Sequence, residues 1–259
     1  MKDDDESLAP IFCRPGAKRP IADKIIDRIP DHRTYVEPFV GGGSIFLRKP
    51  LSEKNVINDL DKDLMKGYRL IKELGKGGPE LSKFPFKNTI ATIQALVNKP
   101  YRDKYEDLLA ILYMSCNTFS STGRGKIYSA YTGESKIKKL EKYANKLKNT
   151  TILSEDYIKV LRRYDSPTTF FFLDPPYEAS DKMYKDDSID YAVMNEELKK
   201  LKGNFLLTIN DSPHIRRAFK GFNIKALEVR SFWKSTTKEN PGGKVKAPRK
   251  ELFISNYTL

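Results

Sequence analysis

The sequence predicts an α/β fold built on a doubly wound, mostly parallel sheet, and two observations predict it. Between residues 35 and 59 an apolar segment leads into a glycine turn, and a second apolar segment leads into an acidic residue. This order is typical of the opening of such a sheet. The second observation is the continuous apolar run over 168–173, which is typical of a strand buried on both faces. The 259 residues suffice for a hydrophobic core and for one large domain with an insertion.

The composition excludes several classes of protein. Hydrophobic residues make up 39% of the chain, with 14 Phe and 14 Tyr, which excludes a wholly disordered protein. No apolar run approaches the roughly 18–20 residues of a membrane span, and the acidic start over residues 1–6 is unlike a secretory signal. We therefore expect a cytoplasmic protein with no membrane partner.

Cysteine and histidine are too sparse to predict a metal centre. Cys13 and Cys116 lie far apart and form no CxxC pattern, and the two histidines are His32 and His214. Structural zinc sites need four such ligands at characteristic spacings. The sequence therefore predicts no metal site and, with two isolated cysteines, a reducing compartment.

The first part of the chain supplies the opening of the sheet. Apolar residues at helical spacing predict a helix over 21–29, which Pro30 ends. The next elements are expected in this order: a strand over 35–40, a short helix beginning at 45–47, a strand over 55–58 and a helix over 61–74.

The middle of the chain is predicted to be helical. Residues 80–117 have helical character with a buried segment at 108–114, and a Lys-rich helix is expected over 135–149 after a polar loop. Strand signals are scarce here. We therefore interpret 76–150 as an inserted helical region between two parts of one domain, 1–75 and 151–259.

The α/β pattern resumes after the insertion. Strands are predicted over 150–153, 168–173, 204–209, 226–233 and 251–257, and helices over 156–163 and 196–201. The last two strands are separated by segment 234–250, which is basic and rich in Gly and Pro and is expected to be a flexible loop.

The glycine turn and the acid after it suggest a binding site. Glycines at Gly41 and Gly43 let the backbone approach a ligand closely, and the predicted helix after them offers free N–H groups. Asp59 lies 18 residues after Gly41 at the end of the next strand, where an acid can accept hydrogen bonds from ribose hydroxyls. The pair fits a ligand with an adenosine and no pyrophosphate, and it also fits a tight structural turn.

A more specific motif is Asp174-Pro175-Pro176-Tyr177, at the end of the buried strand. The two prolines make a rigid turn that offers a carboxylate and backbone carbonyls as acceptors beside an aromatic ring. Such a turn suits an exocyclic base amine, whose lone pair is delocalised into its ring. Acceptance of its protons at Asp174 and at the Pro175 carbonyl would free that lone pair, while Tyr177 stacks on the base.

In this order the motifs resemble those of the D12-class DNA adenine-N6 methyltransferases, the Dam-like family. A target-recognition insert between the cofactor and catalytic halves is the arrangement of its alpha group. The segments that resemble family motifs are Arg14–Lys18, Glu37–Ser44, Asn58–Asp61, Glu155–Tyr157, Asp174–Tyr177, Thr208–Pro213 and Glu251–Tyr257.

The resemblance implies a Rossmann-like S-adenosylmethionine-dependent methyltransferase fold, with a mostly parallel sheet, a late antiparallel strand and an inserted helical recognition region. It implies methyl transfer from S-adenosylmethionine to the N6 amine of a flipped-out adenine in duplex DNA, in a bacterial or viral setting. The implied catalytic residues are Asp174, Pro175, Pro176 and Tyr177. The implied cofactor-binding residues are Lys18, Glu37, Phe39, Gly41, Gly43, Asp59, Asp156, Tyr157 and Asp174.

The chain departs from the family at two places. The family usually has an aromatic residue at the position of Arg14, so one face of the cofactor pocket is expected to differ. Its recognition loop matches segment 117–133 only in outline, so the familiar GATC preference is not transferred.

The positive charge of the chain predicts a polyanionic partner. The formal net charge is +13, and it is concentrated in segments 214–250, with +9, and 99–149, with +6. A solvated charged surface is the alternative interpretation. The candidate residues for DNA contact are Asn117, Ser121, Arg124, Lys126, Tyr128, Lys234, Lys238, Lys244, Lys246 and Arg249. A homodimer on DNA and a cognate restriction nuclease are compatible with the resemblance.

Three other functions fit parts of the pattern. A related enzyme could act on another amine, cytosine N4 or RNA adenine, although cytosine-N4 enzymes more often carry Ser at the position of Asp174. A non-catalytic DNA-binding relative could keep the fold, which the intact Asp174–Tyr177 motif disfavours. A nicotinamide oxidoreductase is disfavoured because the glycine pattern differs from GxGxxG.

Overall fold

A computed structural model describes residues 8–74, 89–118, 125–131, 134–177, 189–229, 234–237, 240–245 and 249–259. At 234–237, 240–245 and 249 the backbone alone is described. None of the helices in these segments is long and apolar enough to cross a membrane.

A seven-stranded mixed sheet forms the centre of the molecule. Its order is β3-β2-β1-β4-β5-β9-β6. The first five strands in this order run parallel, and β9 runs antiparallel to both β5 and β6. This confirms the prediction of a mostly parallel sheet with a late antiparallel strand. The strands are β1 Thr34–Glu37, β2 Lys54–Asn58, β3 Thr150–Leu153, β4 Thr169–Leu173, β5 Asn204–Asn210, β6 Asn223–Val229, β7 Lys234–Thr237, β8 Asn240–Val245 and β9 Arg249–Ser255.

The central strands are apolar on both faces because helices cover both sides of the sheet. Alternate side chains of β4 point to opposite faces. Phe170 and Phe172 belong to one hydrophobic cluster, and Phe171 belongs to the other. All five residues of β4 are buried, as expected of a strand in the middle of a parallel sheet.

Nine α-helices occur within the described segments, preceded by a short 3-10 turn at Arg19–Ile21. Side-chain caps fix several starts: Asp103 begins α4, Asp156 begins α7 and Asp190 begins α8, each accepting a backbone N–H bond in its first turn. The helices are α1 Ala22–Ile26, α2 Lys62–Leu74, α3 Ile90–Val97, α4 Lys104–Asn117, α5 Glu134–Ile137, α6 Leu140–Leu147, α7 Tyr157–Tyr164, α8 Tyr191–Lys199 and α9 Pro213–Ala218.

The inserted helices do not form a separate core. Helices α4 and α6 pack against α2, and α3 packs against α4. Leu108, Tyr113 and Leu147 of the insert lie in the same hydrophobic cluster as Tyr35 and Phe170 of the sheet. The insert is therefore anchored on the sheet through α2, while its role in target recognition remains a prediction.

Two helices predicted in the first two thirds of the chain differ from the structure. Residues 45–47 form consecutive turns instead of a helix, with Leu47 N bonded to Gly43 O and Arg48 N to Ile45 O. Pro50, which has no backbone N–H, follows too soon for a longer series of helical hydrogen bonds. The predicted Lys-rich helix over 135–149 is divided into α5 and α6, because the backbone at Lys139 leaves helical geometry with φ −102°.

The last third of the chain also contains elements that differ from prediction. The segment expected to be a flexible loop contains β7 and β8, which pair with each other as a two-stranded antiparallel sheet. The strand predicted over 226–233 is β6 and begins earlier, at Asn223. Helix α8 begins at Tyr191, five residues before the predicted start, because Asp190 caps it. Helix α9 was not predicted.

Candidate active site

A cavity of about 610 Å³ lies at the carboxyl ends of β1, β2 and β4. This is the point of the sheet where the connections from β1 and β4 lead away in opposite directions, the usual ligand site of doubly wound folds. Its volume lies within the range of small-molecule sites. The main segments of its wall are residues 14–18, 37–42, 44–45, 58–61, 155–158, 174–177 and 189–190.

The glycine turn after β1 forms one side of the cavity. Gly41 has a left-handed backbone with φ +48°, and a side chain there would meet open space. Gly42 also lines the cavity, but on its other side a Cβ atom would lie 2.4 Å from the carbonyl oxygen of Phe12. The turn therefore disfavours side chains for two reasons, the left-handed backbone of Gly41 and the close packing behind Gly42.

Gly43 does not lie in the cavity wall, which differs from the expectation that it contacts a cofactor. Its φ of +77° turns it towards Leu47 and the Tyr68 hydroxyl, where a Cβ atom would lie 2.8 Å from the hydroxyl oxygen. Its position indicates a structural role in the turn. The same tyrosine hydroxyl donates to the carbonyl of Gly41 over 2.9 Å.

Asp59 follows β2 and fixes the glycine turn from the opposite strand. Its Oδ2 accepts a hydrogen bond from Gly41 N, and its Oδ1 accepts one from Asp61 N, both over 3.0 Å. Burial raises the pKa of Asp59, although both backbone N–H groups favour its charged form. Each carboxylate oxygen still has a further acceptor position, and the residue lines the cavity.

An aromatic and apolar wall lies beside Asp59. The rings of Phe39 and Tyr157 are 5.2 Å apart between centroids, tilted by 37°. Asp156 caps α7 by accepting from Ile158 N over 2.9 Å, which places the start of that helix against the cavity. Asn58 connects the segment of Phe39 with the segment of Tyr157. Its side-chain amide donates to the carbonyls of Pro38 and Glu155 over 2.9 Å each.

Asp174 begins the turn after β4 and is held by two side chains. The Lys18 ammonium lies 2.7 Å from Oδ1 and 2.9 Å from Oδ2, and the Thr208 hydroxyl donates to Oδ1 over 3.0 Å. A carboxylate has about four acceptor positions, so these contacts leave about one of them unused. Burial raises the pKa of Asp174, and this effect exceeds the opposing effect of the Lys18 charge.

Tyr177 ends the same turn, and its ring is fixed on two sides. Its hydroxyl donates to Glu251 Oε2 over 2.7 Å, and the Lys18 Nζ lies 4.8 Å from the ring centroid. Glu251 lies on β9, and its Oε2 is 3.9 Å from the Lys18 Nζ. Tyr191 of α8 fixes the turn by donating to the Pro176 carbonyl over 2.9 Å.

Glu37 ends β1 on the floor of the cavity, with 2% of its surface exposed. The pKa of its carboxyl is raised to about 8, mainly by burial. The nearby Asp174 contributes to the rise, and a 2.6 Å hydrogen bond from the Tyr35 hydroxyl opposes it. The group is therefore largely protonated at neutral pH.

Arg14 stands where the resembled family usually has an aromatic residue. Its guanidinium lies 2.7 Å from Asp61 Oδ2, and both residues line the cavity. An ion pair therefore forms this part of the wall. In the described portion of the chain, no group of three or more His, Cys, Asp and Glu side chains is placed to hold a metal ion.

The candidate DNA contacts of the insert fall into two groups. Asn117 is 2% exposed, and its side-chain amide is engaged internally with Ser129 and Tyr131, which differs from the expectation of a surface contact. Lys126 and Tyr128 are exposed, Tyr128 by 61%. The other candidates of the insert, Ser121 and Arg124, lie outside the described residues.

The candidate DNA contacts near the end of the chain are described only in part. Lys234 lies on β7, Lys244 on β8 and Arg249 at the start of β9, each as backbone alone. Lys238 and Lys246 lie outside the described residues. The basic segment is therefore attached to the sheet through β9.

Three residues of the site were not predicted from the sequence: Asn58, Thr208 and Glu251. Thr208 and Glu251 are polar residues inside apolar strands, which is a signal that could have found them. The contact of Thr208 with Asp174 depends on β5 lying beside β4, and the contact of Glu251 with Tyr177 depends on the position of β9. Sequence patterns do not give strand order.

The fold and this cavity define a Rossmann-like methyltransferase architecture. Comparison with family models matches residues 15–231 to the D12 class N6 adenine-specific DNA methyltransferases. The chain belongs to this family, as its motifs predicted, and it is an adenine-specific DNA methyltransferase.

Individual relatives agree with the family. The chain is 25% identical over 242 residues to a DNA adenine methylase of Vibrio cholerae, covering 83% of this chain and 86% of that protein. It is 26% identical to the type II methyltransferase M.MjaIII of Methanocaldococcus jannaschii over an alignment of 296 positions, which covers 96% of this chain and 99% of that protein. A solved rRNA methylase of Streptococcus thermophilus aligns over 92% of this chain and 94% of its own with a TM-score of 0.36 and 11% identity, a likeness too slight to add to the assignment.

Proposed function

We propose that the chain transfers a methyl group from S-adenosylmethionine to the N6 amine of an adenine that has left the stack of duplex DNA. The observation that supports this most directly is that Asp174 and the pair Gly41–Asp59 line one continuous cavity. A nucleoside-type ligand at Asp59 and an amine at Asp174 would therefore lie within the same enclosed space.

The residues of the cavity fit S-adenosylmethionine. Asp59 offers unused acceptor positions to ribose hydroxyls, and Phe39 with Tyr157 offers an apolar wall to an adenine ring. Glu37 and Asp174 provide carboxyl groups near a cationic sulfonium. When bound, this cofactor supplies an electrophilic methyl group together with its leaving group.

Asp174 and Pro175 would orient the target amine. Lys18 and Thr208 leave Asp174 about one acceptor position, which suits one N–H of the amine, and the Pro175 carbonyl suits the other. Fixing both protons points the nitrogen lone pair at the methyl group, which is a gain from orientation. Extrusion of the base costs a few kcal/mol, which contacts in the pocket must offset.

Tyr177 would stack on the extruded base. The Lys18 ammonium occupies one face of its ring, and the Glu251 carboxylate fixes its hydroxyl. The base would therefore stack on the face of the ring that is turned away from Lys18.

The two basic regions would bind the DNA backbone on both sides of the cavity. The insert contacts the N-terminal segment just before the cavity wall, through Lys136 Nζ and the Ile11 carbonyl at 2.8 Å. The pair β7–β8 precedes β9, which begins at Arg249. Two residues later, Glu251 of β9 contacts Tyr177. A homodimer of the protein on DNA and a cognate restriction nuclease stay predictions.

The test is expression of the chain in a host without DNA methylation, followed by mapping of N6-methyladenine across the genome. We expect modified adenine at a defined sequence with the wild type, and none with Asp174→Ala. Exposed Asp27→Ala is the matched control and should methylate normally. Circular dichroism checks that Asp174→Ala remains folded, and calorimetric titration with S-adenosylmethionine measures how much cofactor affinity it keeps.

Two results would contradict the proposal. Near-normal adenine methylation by Asp174→Ala would remove its catalytic role. Modified cytosine or modified RNA adenine, with unmodified DNA adenine, would replace the substrate by one of the alternatives considered from the sequence.

A further inference from the structure

Cys13 and Cys116 meet in the fold although 103 residues separate them in the chain. Cys13 lies in the N-terminal segment that precedes the cavity wall, and Cys116 is the penultimate residue of α4. Their Sγ atoms are 2.7 Å apart, both are free cysteines and both are partly exposed. The two sulfur atoms are therefore already in contact, and neither cysteine is fully buried.

Lys136 of α5 supplies a positive charge to this pair. Its Nζ lies 3.4 Å from Cys13 Sγ and 3.8 Å from Cys116 Sγ, and the Ile11 carbonyl holds it in place at 2.8 Å. Ser115 Oγ lies 3.6 Å from Cys116 Sγ. A thiol near an ammonium and hydrogen-bond donors is the usual environment of a reactive cysteine.

The two sulfurs are not equivalent. The hydrogen bond with Cys13 lowers the pKa of Cys116, and Lys136 lowers it further. The same hydrogen bond, together with burial, raises the pKa of Cys13. These directions make Cys116 the more acidic thiol of the pair.

We propose that Cys13 and Cys116 form a reversible oxidation site, at which a hydroperoxide converts the two thiols into an intramolecular disulfide. The Cys116 thiolate attacks one peroxide oxygen, so that an S–O bond forms, the O–O bond breaks and the leaving hydroxide takes up a proton. The Cys13 sulfur then attacks the Cys116 sulfenic acid, so that the S–S bond forms and the S–O bond breaks. The Cys13 proton leaves with that hydroxide as water. Two thiols and one peroxide give one disulfide and two waters.

The bond would connect two functional parts of the molecule. Cys13 precedes Arg14, which lines the cavity. Cys116 precedes Asn117, whose side-chain amide holds Ser129 and Tyr131. The oxidised protein would have a covalent link between the cavity wall and the insert. This inference does not depend on the proposed methyl transfer.

The test exposes the reduced protein to hydrogen peroxide and then alkylates it under denaturing conditions for intact-mass analysis. Because the chain has two cysteines in all, the reading is unambiguous. We expect loss of both alkylatable thiols with no added oxygen, and full recovery after dithiothreitol. Cys13→Ser should instead accumulate oxygen on Cys116. Two thiols that remain alkylatable, or wild-type protein with oxygen on each cysteine separately, would overturn the proposal.

The role of Lys136 gives a second, kinetic test. Lys136→Met should slow disulfide formation at pH 7 about tenfold, because removal of the charge lowers the thiolate fraction of Cys116. Exposed Lys139→Met is the matched control and should react at the wild-type rate. Circular dichroism confirms that both variants are folded. An unchanged rate in Lys136→Met would contradict the role of Lys136 in activating the cysteine pair.

Discussion

Glu37, Asp174 and Glu251 bring three carboxyl groups to one end of the cavity, with the Lys18 ammonium between two of them. Their surroundings make them different. Glu37 is buried without an ion pair to Lys18, and burial raises its pKa to about 8. Asp174 and Glu251 share Lys18, so their charged forms are partly compensated. The site therefore places one carboxyl, Glu37, where burial favours its neutral form, beside two carboxyls that share an ammonium partner.

Glu37 should make the stability of the protein depend on pH. Its pKa is about 8 when folded and near the ordinary 4.5 when unfolded, so the folded state binds the extra proton. The free energy of unfolding should fall as pH rises from about 4.5 to about 8, by up to the order of 4 kcal/mol. Glu37→Gln, which cannot ionise, should lose this dependence and gain stability relative to the wild type at pH 8–9. Urea denaturation of both proteins at pH 5 and pH 9 measures it, and parallel pH curves would contradict it.

Secondary-structure elements were predictable where the signal was local. The continuous apolar runs of β4 and β5 gave both strands within one residue of their ends, and Asp156 marked the start of α7. The pair β7–β8 gives no strand signal because β7 is polar and half of β8 is Pro and Gly, and its strand pairing compensates for that composition. Helix α8 is longer than its sequence pattern predicts, because the Asp190 side chain caps it at Tyr191.

The site was predictable to the extent that its residues follow strands directly. Asp59 and Asp174 lie at strand ends, so sequence order placed both at one edge of the sheet. Glu251, by contrast, reaches Tyr177 only because β9 lies between β5 and β6. The contact of Cys13 with Cys116 likewise depends on the packing of the insert, which local patterns do not contain.

The glycine turn after β1 should tolerate no side chain at its second position. A Cβ atom on Gly42 would lie 2.4 Å from the Phe12 carbonyl oxygen, a backbone atom that cannot move alone. Gly42→Ala should therefore destabilise the protein by about 1–3 kcal/mol. Chemical denaturation measures this, with exposed Ser135→Ala on α5 as the control that should stay near the wild type. Wild-type stability of Gly42→Ala would mean that the turn can shift away from Phe12.

At the scale of the whole molecule, the positive charge and the cavity are connected by topology. The formal net charge of +13 is concentrated in the insert and in the segment around β7 and β8. The insert contacts the N-terminal segment at Ile11, upstream of Lys18. The segment around β7 and β8 continues into β9, the strand of Glu251. Non-specific DNA affinity would come from both regions, whereas sequence preference would come from side chains that reach base edges.

DNA binding should weaken steeply with salt, because each lysine that neutralises a phosphate releases a counterion. Replacing Lys234 and Lys244 by Ala should reduce the slope of log affinity against log salt by about 0.9 for each phosphate that is no longer neutralised. Lys199→Ala, at the end of α8 and paired with Glu196, is the control and should leave the slope unchanged. Fluorescence anisotropy with a DNA duplex at several salt concentrations measures it. A wild-type slope in the double variant would show that these lysines do not touch phosphate.

The position of β9 also has a consequence for the order in which the enzyme matures during synthesis. Strand β6 joins the sheet by pairing with β9, and Glu251 follows Tyr177 by 74 residues. While the chain emerges from the ribosome, the part that contains Gly41 and Asp59 can fold first, with Tyr177 still lacking its carboxylate partner. Competence for catalysis would then arrive late and in one step, when β9 pairs with β5 and brings β6 into the sheet.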